Sequence, residues 1–157
     1  MLRMLSNFRF PAVLLVALSA PLVARPVAAQ ASRVTVASQR SFDETVAQFK
    51  SAVAQGGMMV MAEVNQGNML AMTGLKLKAT LFLVGSPAVG KQVLEKDHGA
   101  GLYLPLRVYV YQEADGKAVI SYDRPTVVLG QLGNGDIDMI AGMLDQKLGG
   151  LTQMAAK

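Results

Sequence analysis

The segment LRVYVYQEADGKAVISY, residues 106–122, is the strongest indication of the fold in this sequence. Its first six residues alternate between aliphatic side chains and the side chains of Arg107, Tyr109 and Tyr111, which is the period of a half-buried strand. Asp115-Gly116 is a strong hairpin signal, so the chain is predicted to return directly as the next antiparallel strand. One face of this hairpin is therefore expected to enter a core, while the other carries tyrosine and arginine.

Two long helices are predicted on either side of this region. The segment Ser41-Phe42-Asp43-Glu44 is a capping box that opens the first helix, and Gly56-Gly57 ends it with residues suited to a left-handed turn. Pro125 and three glycines after it indicate a loop, and Asp136 is predicted to cap the last helix. The apolar residues of that helix share one face: Ile137, Ile140, Leu144, Leu148 and Leu151.

Apolar or β-branched runs at residues 33–38, 58–64 and 80–84 predict three more strands. Residues 65–74 are predicted to form one short helix, and residues 85–104 are irregular apart from a helical turn. This order predicts an α+β fold, with a mainly antiparallel sheet of four to five strands and two main helices packed on one face, in the order β-α-β(3–4)-α.

The N-terminus has the pattern of a secretory signal peptide, residues 1–31. A positively charged start precedes residues 11–24, an uncharged and mostly apolar stretch that is shorter than the ~20 residues of a membrane span. Signal peptidases cleave after a small-x-small pattern, which Ala29-Gln30-Ala31 provides before Ser32 and Val27-Ala28-Ala29 provides before Gln30. The sequence therefore predicts one domain over residues 32–157, periplasmic or secreted from a bacterium, with no transmembrane segment after cleavage. An uncleaved anchor is the alternative.

Charge and cysteine content exclude several classes of protein. The chain has 15 basic and 11 acidic residues, and loss of Arg3, Arg9 and Arg25 with the signal peptide leaves 12 against 11. No basic stripe interleaved with aromatic residues remains, so no nucleic-acid partner is expected. The sequence contains no cysteine, which excludes disulfides, thiolate metal sites, a cysteine nucleophile and a lipid anchor on a thiol.

Two motifs could carry chemistry. Residues 85–91 fit G-x-x-x-x-G-K, the pattern of a loop that binds the phosphates of a nucleotide. Gln92 stands where such a loop has a serine or threonine to hold magnesium, so a simple turn after a strand is the preferred interpretation. His98 could act as a base or bind a ligand if it met a carboxylate, Glu95, Asp97 or Asp123, in a cleft. A solvated loop histidine is the alternative, and no cofactor is predicted.

Methionines are concentrated between residues 58 and 72. Thioethers are soft ligands that suit copper(I), so a metal site is one interpretation, with candidate ligands Met59, Met61, Met69 and Met72. The alternative is that methionine fills gaps in the core.

The polar face of the hairpin is the preferred binding surface. Tyr103, Arg107, Tyr109 and Tyr111 are predicted to cluster there, and Tyr122 could join them. Tyrosine and arginine on an exposed sheet face favour binding, because they combine apolar bodies with hydrogen-bonding tips and a cation. Ordinary cross-strand pairing in a half-buried sheet is the alternative.

Residues 41–125 resemble the family called domain of unknown function 302. The resemblance is carried by six segments in order: 41–46, 62–64, 74–77, 83–90, 104–111 and 115–123. It implies a small α+β domain that tends to form homodimers and has no established activity. Asn65-Gln66 departs from the Asp-His of many relatives, and Ser86 from their more frequent Asn, which lowers the expectation of catalysis.

We therefore expect an exported, non-enzymatic module that binds a small molecule or a protein partner and acts as a homodimer. The candidate ligand-binding residues are Tyr103, Arg107, Tyr109, Tyr111 and His98. Copper(I) binding through the methionines, or an enzyme of unknown reaction, are the alternatives.

Overall fold

The computed structural model describes residues 32–157, so the predicted signal peptide lies outside the described residues. Five strands of this part form one antiparallel sheet with the spatial order β1-β5-β4-β3-β2. The strands are β1 Arg33–Ala37, β2 Met59–Asn65, β3 Ala79–Gly85, β4 Leu106–Gln112 and β5 Ala118–Asp123. The predicted antiparallel α+β fold is confirmed.

Two long helices pack against each other and contact one face of this sheet. Residues 32–157 form five α-helices in all, together with a 3-10 helix at His98–Leu102. The α-helices are α1 Phe42–Gln55, α2 Gln66–Ala71, α3 Pro87–Leu94, α4 Pro125–Gly130 and α5 Gly135–Ala156. α1 and α5 are the two main helices that the sequence predicts. Their apolar faces and the inward side of the sheet enclose the core.

The predicted capping box begins α1. The Ser41 hydroxyl accepts a hydrogen bond from the Glu44 amide at 3.3 Å, and the Glu44 carboxylate accepts one from the Ser41 amide at 3.0 Å. These bonds satisfy amides that the first turn of a helix leaves without intrahelical partners. Hydrogen bonding to Ser41 also lowers the pKa of Glu44.

Two predictions after the hairpin are wrong in detail. The loop predicted at Pro125 contains α4, whose proline occupies a first-turn position where its missing amide costs nothing. The Thr126 hydroxyl donates to Asp145 of α5 at 2.6 Å, which ties the short helix to the long one. The residue that caps α5 is Asn134, because its side chain accepts hydrogen bonds from the amides of Asp136 and Ile137.

The inward face of the sheet is fully buried at its centre. Phe82, Val108, Val110 and Ile120 each have 0% exposure, and the ring of Phe82 lies 5.2 Å from the ring of Phe49 on α1. The outward side chains of the same strands are not covered by α1 or α5, and most of them stay half-buried or exposed.

Candidate functional site

The outward side of the sheet is the candidate site, and we call it the open face. β4 lies between β3 and β5, so its outward side chains occupy the middle of this surface. Tyr109 is level with Leu81 on one neighbour and Ser121 on the other. The open face is formed chiefly by Arg33, Leu81, Leu83, Arg107, Tyr109, Tyr111, Ser121 and Asp123.

Two tyrosines form an aromatic pair on the open face. The rings of Tyr109 and Tyr111 are 5.2 Å apart and inclined by 21°, which is a stacked arrangement. Burial raises the pKa of Tyr109, and the adjacent Tyr111 raises it further. Burial also raises the pKa of Tyr111, whose hydroxyl donates to the Glu113 carboxylate at 3.5 Å. Both rings therefore stay neutral at physiological pH and offer apolar surface with polar tips.

Arg107 is a cation on the open face without an acidic partner. Its side chain is exposed, and it takes part in no ion pair within residues 32–157. Asp123, the nearest acidic residue on this surface by strand register, lies 3.8 Å from the Arg33 guanidinium. An exposed guanidinium keeps all of its donors available for a ligand or a partner.

Two concavities meet at this arginine. The first has a volume of about 510 Å³ and is lined by Tyr109 and Tyr111, whereas the second, of about 400 Å³, is lined by Tyr103. Arg107 and Asp123 line both. Four of the five predicted ligand-binding residues thus lie around one surface, with Arg107 at its centre.

Tyr122 does not present its side chain with this group. It pairs with Val108, which points into the core, and its own side chain is 6% exposed beneath α5. Burial raises the pKa of its hydroxyl. The prediction that Tyr122 could join the other tyrosines was wrong. Nearly all residues of β5 are buried, so its sequence lacks the alternation that would show which side chains face the helices.

His98 lines neither of the two concavities of the open face. It is exposed in the 3-10 helix, and none of the three carboxylates considered as its partners is paired with it. Asp97 accepts from the Gly99 amide at 2.6 Å, Glu95 pairs with Lys91 at 3.6 Å, and Asp123 pairs with Arg33. Over residues 32–157 there is no group of three or more histidine, cysteine or acidic side chains placed to hold a metal.

The four candidate methionine ligands fall into two separate pairs. Met59 is level with Gly85 at the end of β3, whereas α2, which carries Met69, packs through Gly67 against the backbone just before β3. The seven residues of β3 span roughly 20 Å at about 3.3 Å per residue. Met59 and Met61 therefore do not converge with Met69 and Met72 on one ion.

The open face includes residues that sequence reasoning missed. Arg33, Leu81, Asp123 and Gln66 line the first concavity beside the tyrosines. Outward alternation in β1 could have indicated Arg33, but its position beside β5 depends on a pairing between strands far apart in sequence. Asn65, next to Gln66, caps α2 by accepting from the Asn68 amide at 2.9 Å.

A family model described as domain of unknown function DUF302 matches residues 34–155. The chain belongs to the DUF302 family. The fold of this DUF302 chain resembles that of a solved relative, an uncharacterized conserved DUF302 protein from Bacillus stearothermophilus, with a TM-score of 0.74. The two are 22% identical, and the match covers 78% of this chain and 97% of that one. At this identity the comparison shows the shared fold.

Part of the DUF302 chain is also similar to longer proteins. It is 30% identical over 93 residues to the fluoride-specific ion channel FluC 1 of Brucella suis and to that of Brucella abortus. The match covers 59% of this chain but only 37% and 34% of those proteins. The chain thus spans little more than a third of their length. Within residues 32–157, no helix combines the length and the hydropathy needed to cross a membrane.

Proposed function

We propose that this protein is an exported, non-enzymatic binding module that acts as a homodimer through its open face. The observation that carries the proposal is Arg107, an unpaired guanidinium amid tyrosine and leucine on a sheet face that α1 and α5 leave uncovered. The pattern of residues 1–31 supports export to the periplasm or beyond. Residues 32–157 would then be the mature domain.

The occupant that the open face fits best is a second copy of this chain. A two-fold interface joins the same surface of both subunits, so each charged group must find its complement on that surface. The open face carries the cations Arg33 and Arg107 together with the anions Glu113 and Asp123. Arg107 of one copy could therefore pair with an acidic residue of the other, while the tyrosines and leucines supply apolar contact.

A small-molecule ligand would use the same surface. Both concavities fall within the roughly 300–1,000 Å³ of ligand sites, and Arg107 lines both of them. A guanidinium binds carboxylate or phosphate groups with two parallel hydrogen bonds. The ligand class that this arrangement favours is a small organic anion with an apolar or aromatic body that packs on Tyr109.

The dimer is tested by sedimentation velocity of the secreted protein and of Arg107→Glu. We expect a dimer for the native sequence and a dissociation constant raised at least about tenfold in the variant, which corresponds to about 1.4 kcal/mol. Lys157→Glu makes the same charge reversal at an exposed position outside the open face and should leave the dimer intact. A monomeric native protein, or an Arg107→Glu dimer of unchanged strength, would contradict the proposal.

The ligand is tested by native mass spectrometry of the protein recovered from its own periplasm. Extra mass that is retained by the native protein and lost in Arg107→Ala supports binding at the open face. A dimer without extra mass favours a module for protein interaction. Bound copper retained by Met59→Leu, Met69→Leu and Arg107→Ala alike would place the ligand outside every site considered above.

A further inference from the structure

Methionine sulfur is widely exposed in this protein. Eight methionines lie within residues 32–157. Met58 is the buried one, at 4% exposure, and it belongs to the core. On β2, Met59 and Met61 are 56% and 45% exposed. Around α2, Met69 and Met72 are 63% and 94% exposed. Because methionine is ordinarily among the residues most often buried, filling of the core explains Met58 but not these side chains.

A second group lies on α5. Met139 and Met143 are 67% and 61% exposed and are four residues apart, so they are neighbours on one helix face. Met154, near the end of the same helix, is 53% exposed. The buried residues of α5, such as Leu148, face the sheet. This group is therefore on the far side of the helix layer from the open face, and the inference drawn from it does not depend on the proposed function.

We propose that the seven exposed methionines form a reversible oxidation site that consumes peroxides while the fold stays intact. The lone pair of the sulfur attacks one oxygen of hydrogen peroxide, the O–O bond breaks, and the departing hydroxide takes up the remaining proton to leave as water. The sulfur loses two electrons and the peroxide gains them. The product is methionine sulfoxide, which a sulfoxide reductase returns to the thioether. The chain has no cysteine, so within residues 32–157 these thioethers carry all of the accessible sulfur.

Placement on the surface is what makes this chemistry tolerable. A sulfoxide is polar, and in a core it disrupts packing, whereas on an exposed side chain it is hydrated. Oxidation of Met58 would disrupt the core, but the packing around this side chain shields its sulfur. Met61 is intermediate, because its methyl group and sulfur lie 3.2 and 3.6 Å from the position that a Cβ would take on Gly85. Exposure therefore predicts the order of reaction, with Met72 first and Met61 last of the seven.

The test is treatment of the folded secreted protein, residues 32–157, with hydrogen peroxide, followed by peptide mapping over time. We expect seven oxygen atoms to be taken up with an unchanged circular-dichroism spectrum, and all seven to be removed by sulfoxide reductases. Met58 should react at least about tenfold more slowly than Met61, since its sulfur is reached only when the core opens. A variant with both Met139→Leu and Met143→Leu should take up five oxygens at unchanged rates.

Three results would overturn the proposal. One is oxidation of Met58 as fast as that of the exposed residues. Another is loss of the folded spectrum before seven oxygens are bound. The third is uptake that stops at two or three sites. Each would show that exposure of the thioether does not govern the reaction or that the fold does not tolerate it.

Discussion

The two faces of the sheet are built from the same strands but have different environments. On β3, Phe82 is fully buried against α1, while its neighbour Leu81 is half-buried on the open face. On β4, Val108 is fully buried and Arg107 is exposed. Strand geometry sends successive side chains to opposite sides, but packing of α1 and α5 makes one side a core and leaves the other available for binding. The buried core and the proposed binding surface are thus separated by a single residue step along each strand.

The largest expected effect separates these two adjacent residues of β3. Phe82→Ala should lower the free energy of unfolding by about 3–5 kcal/mol, because it removes a fully buried ring and leaves a cavity. Leu81→Ala should lower it by about 1 kcal/mol, since only part of its surface is withdrawn from water in one subunit. Urea unfolding measures both. Equal losses in dilute monomer would show that the open face is packed as a second core.

Protein concentration sharpens this comparison. If a second copy covers the open face, the cost of Leu81→Ala should grow as the concentration rises, because association stabilises the folded dimer by mass action. The cost of Phe82→Ala should not depend on concentration in this way. A Leu81→Ala cost that stays constant across the dimer transition would place Leu81 outside the interface.

A smaller effect concerns the helix that covers the inward face. Ser41→Ala should lower the free energy of unfolding by about 1 kcal/mol, because it removes the cap of α1. The exposed Ser51→Ala, inside the same helix, serves as the control and should cost less. Equal costs would show that the capping hydrogen bonds contribute nothing.

Acid adds a second readout of the same cap. The pKa of Glu44 is lowered from 4.5 in the folded protein. The ionised Glu44 therefore adds to the free energy of unfolding above pH 4.5, and this stabilisation is lost as the pH falls through the folded-state pKa. The stability of Ser41→Ala should therefore fall less steeply than that of the native protein below pH 4.5. Parallel acid-unfolding curves would remove the proposed link between Ser41 and Glu44.

The smallest effect compares tyrosines on the two faces at alkaline pH. Burial raises the pKa of Tyr122 above the ordinary tyrosine value of 10.0, so the folded protein holds this proton more tightly than the unfolded chain does. The stabilisation is complete below pH 10.0 and is lost as the pH rises through the folded-state pKa. Tyr122→Phe should flatten this alkaline loss more than Tyr109→Phe, because Tyr109 is only half-buried. A larger effect of Tyr109→Phe would mean that the open face is the more enclosed side.

The features that depend on neighbouring residues could be predicted from the sequence alone. Alternation along residues 106–111, the Asp115-Gly116 turn, the capping box of α1 and the apolar stripe of α5 each involve side chains a few positions apart. Their periods of two and 3.6 residues follow from backbone geometry, so they could be recognised without a structure. The placement of Tyr109 and Tyr111 beside Arg107 also follows from this alternation.

The features that require distant segments to meet became visible only in the folded chain. The pairing of β1 with β5 placed Arg33 beside Asp123, and the register of β5 against β4 put Tyr122 level with the inward Val108, on the helix side of the sheet. The length of β3 separates Met59 and Met61 from Met69 and Met72. Contact with α5 stabilised α4 where a loop was predicted. The physical reason is that a local pattern states which residues share a face, whereas packing between segments far apart in the chain determines which face is buried and which groups come together.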